Sequence, residues 1–188
     1  MVTKNNLMYS FLVLLILFIQ FLLLLSLAFL VTLLISGLVS VPWVPTRGKI
    51  GKKMFEMAEL KPGETVVDFG CGDGSLLLTA VKNFNAAKGI GYEHHPGVRW
   101  LGLLRAKIAG LSDKIDLRGG NFFKAELPKA DVIATYLFPE TQQRLEPLLK
   151  KYYPSGTRVI SRTFKYPSLP LIKTDEARGE KLYLYLIP

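Results

Sequence analysis

The sequence predicts an α/β fold: a doubly wound, mostly parallel sheet carried behind one transmembrane helix. Three observations lead there. Residues 7–41 contain no charged side chain and consist largely of Leu, Phe, Ile and Val. Beyond Arg47, short apolar runs alternate with segments of helical spacing. Early in that alternation stands Val66-Val67-Asp68-Phe69-Gly70-Cys71-Gly72-Asp73-Gly74, followed by Gly89-Ile90-Gly91-Tyr92-Glu93. This reads as a buried strand, a glycine turn, a helix start, and a second strand ending on a carboxylate.

The uncharged run exceeds the about 20 residues that a helix needs to cross a hydrocarbon core. It is too long for the apolar core of a cleaved signal, and Leu38-Val39-Ser40-Val41-Pro42 offers no small-x-small cleavage site. Gln20, Ser26, Thr32 and Ser36 interrupt it only mildly. Lys4 is the one side-chain cation before the run, whereas Arg47, Lys49, Lys52 and Lys53 crowd after it. The positive-inside rule then gives a single-pass protein of the cell membrane with its folded domain in the cytoplasm. Two prolines in Val41-Pro42-Trp43-Val44-Pro45-Thr46 stop the helix, and Trp43 suits the headgroup interface. The expected division is an anchor over 1–41, a junction and pre-domain helix over 42–64, and the folded α/β domain over 65–188.

After the junction, Ile50 to Leu60 has helical spacing, and Lys61-Pro62-Gly63-Glu64 is a turn. A strand is expected over Thr65–Phe69, a helix over Ser75–Phe84, a strand over Gly89–Glu93 and a helix over Pro96–Gly110. Strands follow near Ile115–Arg118, Ala130–Leu137 and Thr157–Phe164, with a helix over Glu140–Tyr152. Lys181–Ile187 closes the chain as an antiparallel strand near an edge. In doubly wound sheets ligands lie beyond the carboxyl ends of the strands. Gly70–Gly74, Glu93, Asn121 and Tyr136–Glu140 should therefore converge.

Composition narrows the partners. The 188 residues carry 24 Lys and Arg against 15 Asp and Glu, a net charge of +9. These cations are dispersed and lack aromatic interleaving, which favours the anionic surface of a lipid bilayer over nucleic acid. Cys71 is the only cysteine, so no internal disulfide forms, and no Cys/His cluster has metal-site spacing.

The turn is Gly-x-Gly-x-Gly rather than the Gly-x-Gly-x-x-Gly of dinucleotide folds. That points to S-adenosyl-L-methionine, which brings no phosphate to a helix N-terminus, with S-adenosyl-L-homocysteine as product. Asp68 is placed to hold the methionine ammonium. Gly70, Cys71, Gly72 and Gly74 form a turn that lets backbone approach the ligand, and Asp73 either caps the next helix or touches ligand. Glu93, about 20 residues after the turn, is the expected acceptor for the ribose hydroxyls. Adjacent His94 and His95 diverge and have no third ligand, so His94 belongs in a loop beside the adenosine rather than on a metal. Asn121 and Phe122 either meet the adenine edge and face, or are a turn asparagine and a core phenylalanine. Tyr136 and Glu140 follow the fourth strand, where either could orient an acceptor amine; Glu140 could equally serve the helix dipole.

These residues resemble the class I S-adenosylmethionine-dependent methyltransferases. Across nearly the whole chain the sequence is similar to small membrane-anchored protein-lysine methyltransferases, relatives of the mitochondrial enzymes acting on ATP synthase c-subunit and adenine nucleotide translocase. The resemblance rests, in order, on the apolar N-terminus, Val41–Thr46, Val67–Gly74, Gly91-Tyr92-Glu93, Asn121-Phe122-Phe123, Arg158–Phe164 and Leu182-Tyr183-Leu184-Tyr185. It implies a Rossmann-like sheet of seven strands and a Pro42–Thr46 loop that covers the cofactor and shapes the acceptor channel. It also implies methyl transfer to an accessible lysine of a membrane protein. Cys71 stands where many relatives have serine, and Asn121 where an acid is common. The N-terminus lacks arginine-rich targeting character, which favours a prokaryotic plasma membrane. A lipid, quinone or other membrane-soluble acceptor is the alternative, as is a non-catalytic module that binds S-adenosylmethionine.

Overall fold

A computed structural model describes residues 4–39, 46 and 48–188. The expected junction contacts of Pro42–Pro45 lie outside the described residues. The first helix, α1, runs Lys4–Val39. Within it Met8–Thr32 is long and apolar enough to cross a membrane, and none of that window is buried against protein.

The remaining chain alternates as its hydrophobic pattern demands. It forms α2 (Lys49–Met57), β1 (Thr65–Phe69), α3 (Ser75–Phe84), β2 (Lys88–Glu93), α4 (Pro96–Ile108) and β3 (Ile115–Gly119). Then come β4 (Val132–Thr135), α5 (Pro139–Tyr152), β5 (Arg158–Arg162), β6 (Leu171–Ala177) and β7 (Glu180–Leu186). The strands make one seven-stranded sheet in the order β3-β2-β1-β4-β5-β7-β6. The β3 to β5 half is parallel, and β7 runs antiparallel to both β5 and β6. Strand order reverses between β1 and β4, which opens a crevice at their carboxyl ends.

Two apolar layers sandwich the sheet. Met54, Phe55, Leu77, Ala106, Leu117 and Ile160 pack on the face covered by α2, α3 and α4. Val67, Phe69, Ile133, Leu145, Leu149 and Tyr185 fill the face under α5. The parallel strands read as almost unbroken apolar runs because both their faces are covered.

Two details refine the sequence reading. β7 is an interior strand, because β6 lies outside it and forms the edge. β6 escaped notice because its residues are largely exposed and its sequence, Leu-Ile-Lys-Thr-Asp-Glu-Ala, lacks an apolar stripe. Its state comes from pairing with β7, and Lys53 of α2 ties it down through Asp175 at 2.9 Å. The fourth strand is also shorter than the run Ala130–Leu137, ending at Thr135, with Tyr136 at the sheet edge and Leu137 turned into the core.

Gly91 sets the tightest packing behind the crevice. A Cβ there would lie 2.4 Å from Cys71 Sγ and 2.9 Å from Leu77 Cδ1. Gly91→Ala should therefore overpack the β1–α3–β2 unit and cost about 1–3 kcal/mol. A lowered melting temperature of the detergent-solubilised protein checks this; an unchanged one would show that the turn can yield.

Candidate cofactor and acceptor site

Register alignment explains why the expected residues share one edge. Phe69 pairs with Tyr92 on one side and Thr135 on the other, and Glu93 pairs with Gly119. Gly70, Glu93, Asn121 and Tyr136 thus all lie at the carboxyl ends of neighbouring strands.

The glycine turn is fastened to β2 by its own amides. Gly70 N–H and Cys71 N–H both donate to the Tyr92 carbonyl, at 2.9 and 3.0 Å, and Gly74 N–H donates to Cys71. Gly72 N–H donates to Glu93 Oε2 at 2.9 Å. Positive φ values of 82°, 55° and 69° at Gly70, Gly72 and Gly74 make this path accessible to glycine and strained for other residues. A phosphate-binding loop keeps such amides pointed at its anion. Here four of them are spent on protein, so the turn offers a shaped backbone and carboxylates instead of an anion nest.

Three acids surround the turn, each in a different condition. Asp73 is buried, pairs with Arg105 of α4 and accepts from Ser75 N–H at 3.2 Å. Asp73 thus sits just before the Gly74 cap, bonded to the first residue of α3, and clamps α4. Gly102 allows the approach, since a Cβ there would lie 3.0 Å from the Asp73 carbonyl carbon. Glu93 is held by two backbone donors, Gly72 N–H and His95 N–H at 2.7 Å. Its carboxylate is thereby fixed in orientation while lone pairs remain for hydroxyl donors. Asp68 is only 4 % exposed, and no side-chain hydrogen bond reaches its carboxyl among the described residues. Burial, reinforced by the charges of Glu93 and Asp73, pushes its pKa up to about 8. Such a carboxyl fits an ammonium, which would repay its desolvation. The same burial raises the Cys71 thiol well above its ordinary value, so Cys71 is lining rather than nucleophile.

The histidines separate. His94 is exposed after β2. His95 is buried and caps α4, its Nδ1 accepting from Val98 N–H at 3.1 Å. Asn121 Oδ1 caps a short 3-10 turn by accepting from Phe123 N–H at 2.9 Å. Phe122 leans inward on Phe69, with ring centroids 5.1 Å apart. Asn121 thus serves the turn through Oδ1, while its amide group and the half-buried Phe122 remain at the sheet edge. Among the described residues no group of His, Cys, Asp and Glu could hold a metal ion.

On the other side of the crevice the chemistry changes. Tyr136 stacks on Phe164 at 6.2 Å, and Phe138 meets the same Phe164 edge-on at 6.1 Å. The Arg162 guanidinium lies 4.3 Å over the Tyr136 ring. Arg162 also donates to Thr46 Oγ1 at 3.0 Å and to Glu180 at 2.9 Å. Hydrogen bonds from Arg162 and Thr163 hold the Glu180 carboxyl below its usual range. The loop after β5 is pinned from α5: Gln142 donates to Ser161 at 2.6 Å, and Ser161 donates to the Phe164 carbonyl at 2.7 Å. Thr163 sits at φ 67°, an uncommon state for a β-branched residue, with its hydroxyl on Glu180. Glu140 is exposed in the first turn of α5 and belongs to no ion pair among the described residues. Arg162, Phe138 and Phe164 were not singled out as site residues in the sequence. The available signal was a charged residue closing the strand-like run Val159-Ile160-Ser161.

Comparison with known proteins identifies the family and the fold. A model of the ANTKMT methyltransferase domain matches residues 68–173. A protein-lysine N-methyltransferase of Saccharolobus islandicus (strain REY15A) is 32% identical over 151 residues, which cover 78% of this chain and 94% of that protein. A ribosomal protein L11 methyltransferase of Enterobacter sp. (strain 638) is 36% identical over 87 residues, but these span only 29% of its length. Among solved structures, an RNA methyltransferase from Salinibacter ruber in complex with S-adenosyl-L-homocysteine superposes with a TM-score of 0.73 at 31% identity, covering 77% of this chain and 94% of that one.

Two outcomes follow from the acids. An ammonium bound at Asp68 favours its ionised form, so cofactor binding should expel a proton below about pH 8. Calorimetry should find affinity for S-adenosylmethionine rising about tenfold per pH unit between about pH 6 and 7.5, then levelling. Asp68→Asn should abolish that slope, and a pH-independent affinity in the unaltered protein would contradict it. Glu93→Ala, by removing both the ribose acceptor and the Gly72 tether, should weaken binding by about 2–4 kcal/mol in the same assay.

Proposed function

Since this chain belongs to the ANTKMT methyltransferase family and is an S-adenosylmethionine-dependent methyltransferase, we propose that it is a membrane-tethered protein-lysine N-methyltransferase. The acceptor is a lysine close to the headgroups of a membrane protein. The observation that carries this reading is the split character of the crevice: acids on one side, aromatic rings beneath a buried arginine on the other. The name of the Saccharolobus relative supports the same acceptor class.

The chain's own groups divide the work. Asp68 binds the ammonium of the cofactor, Glu93 accepts from the ribose hydroxyls, and the glycine turn supplies a surface without side chains. Bound there, S-adenosylmethionine supplies a methyl group already activated on sulfonium, so positioning and desolvation are what the protein must add. Tyr136, Phe138 and Phe164 line the acceptor path with apolar faces that suit an alkyl stem. A lysine must arrive neutral, and its ordinary pKa near 10.4 opposes this. Desolvation along this path disfavours the ammonium form, and the Arg162 guanidinium already occupying the Tyr136 face keeps a second cation from settling there, so the lysine loses its proton to water before transfer. Tyr136 orients the amine, and exposed Glu140 attracts the incoming cation. α1 anchors the domain at the cytoplasmic face of a cell membrane, which confines the search to that surface and raises the effective concentration of acceptors.

Incubating labelled S-adenosylmethionine with membranes and the full-length protein should place label on lysine of a protein band. Label extracted into organic solvent would support the lipid or quinone acceptor instead, and label in RNA would move the acceptor to the class named for the Salinibacter structure. Arg162→Gln should move the pH–rate profile about one unit to the alkaline side and lower kcat/KM about tenfold near neutrality. A uniformly scaled profile would mean that Arg162 only supports the fold.

A further inference from the structure

α4 carries an outer face that the soluble domain leaves uncovered. Val98, Gly102 and Ala106 bury its inner stripe. On the opposite side Trp100 is 64 % and Ile108 78 % exposed, with Leu103 and Leu104 beside them. Spacings of four residues from Trp100 through Leu104 to Ile108 put these on one face. Exposed Lys107 lies within that face, and residues 96–108 contain no acid. A water-facing helix would place polar residues there; this composition is that of a helix lying in a bilayer interface.

The anchor says which surface meets it. Phe29 of α1 contacts the start of α4, its ring 5.8 Å from that of His95 and edge-on, and close to Gly97. A crossing of about 20 residues counted from Met8 ends at Leu27; the full apolar window ends at Thr32. Phe29 falls between these two ends, so by either count the start of α4 lies at the membrane boundary. Trp100 is then one turn further along at interfacial depth, where tryptophan is favoured, and Lys107 can reach anionic headgroups.

We propose that the outer face of α4 is a second membrane contact, with Trp100, Leu104 and Ile108 seated between headgroups and acyl chains of an anionic bilayer. The inference rests on the reading of α1 as a membrane span. It deepens the proposed function, because α4 begins three residues after Glu93 and its start shares the sheet edge with the acceptor crevice. Lying flat, α4 fixes that edge against the bilayer, within reach of a lysine at headgroup level.

The chain has two tryptophans, so Trp43→Phe leaves Trp100 as the sole reporter. The full-length variant is reconstituted in vesicles of phosphatidylcholine and phosphatidylglycerol, with and without bromine on the acyl chains. Trp100 should lose fluorescence to the brominated lipid and resist quenching by aqueous iodide. Adding Leu104→Glu and Ile108→Glu should reverse both effects while leaving affinity for S-adenosylmethionine at the value of the Trp43→Phe parent. Iodide quenching without bromine quenching would overturn the inference. Protection from both quenchers would also overturn it, pointing to a second copy or a protein partner on this face. Release of the chain by alkaline carbonate would remove the span reading itself, a result separate from either quenching outcome.

Discussion

The hydrogen bond from Gly72 N–H to the Glu93 carboxylate is the contact on which the donor half of the site depends. It joins the glycine turn to the end of β2 and consumes an amide that an anion would otherwise claim. With Gly70 and Cys71 already on the Tyr92 carbonyl, the turn faces its ligand as bare backbone flanked by acids. Tight packing enforces the arrangement. Gly91 lets Cys71 lie against β2, and Gly102 lets α4 close on Asp73. The cleft that results is lined by acids and offers no free amide nest, which distinguishes it from dinucleotide sites built on the same strand–turn–helix plan.

Charge is distributed with a purpose across the crevice. Asp73 is neutralised by Arg105, Glu93 is satisfied by two amides, and Asp68 alone is left with its desolvation uncompensated. Across from them Arg162 is compensated by Glu180 and rests on Tyr136. On the proposed reading, acids meet the cationic donor while aromatic rings and a paired arginine line the acceptor side, the polarity that amine methylation requires.

How much of this was legible depended on the range of the interactions. β1 through α4 could be placed because strand, turn and capping signals are local: apolar runs, Gly70–Gly74, and Pro96 at the first turn of α4. Glu93 was legible for the same reason, since its distance from the turn is fixed by one βαβ unit. β6 was not, because no apolar stripe marks it and pairing with β7 alone makes it a strand. Arg162 was hidden similarly: its partners Thr46 and Glu180 lie 116 and 18 residues away. Asn121 shows the converse. Its place at the sheet edge was legible, yet its carbonyl oxygen is committed to the local turn rather than extended toward a base.

The central claim is that Asp68 is a buried carboxyl whose natural counter-ion is the cofactor. Carbon-detected NMR of the Asp68 carboxyl, titrated with and without S-adenosylmethionine, tests it most directly. The account predicts a midpoint near pH 8 for the protein alone, falling well into the ordinary carboxylate range once the cofactor is bound. A carboxyl that titrates near pH 4 in both states, as an unperturbed aspartate does, would contradict it.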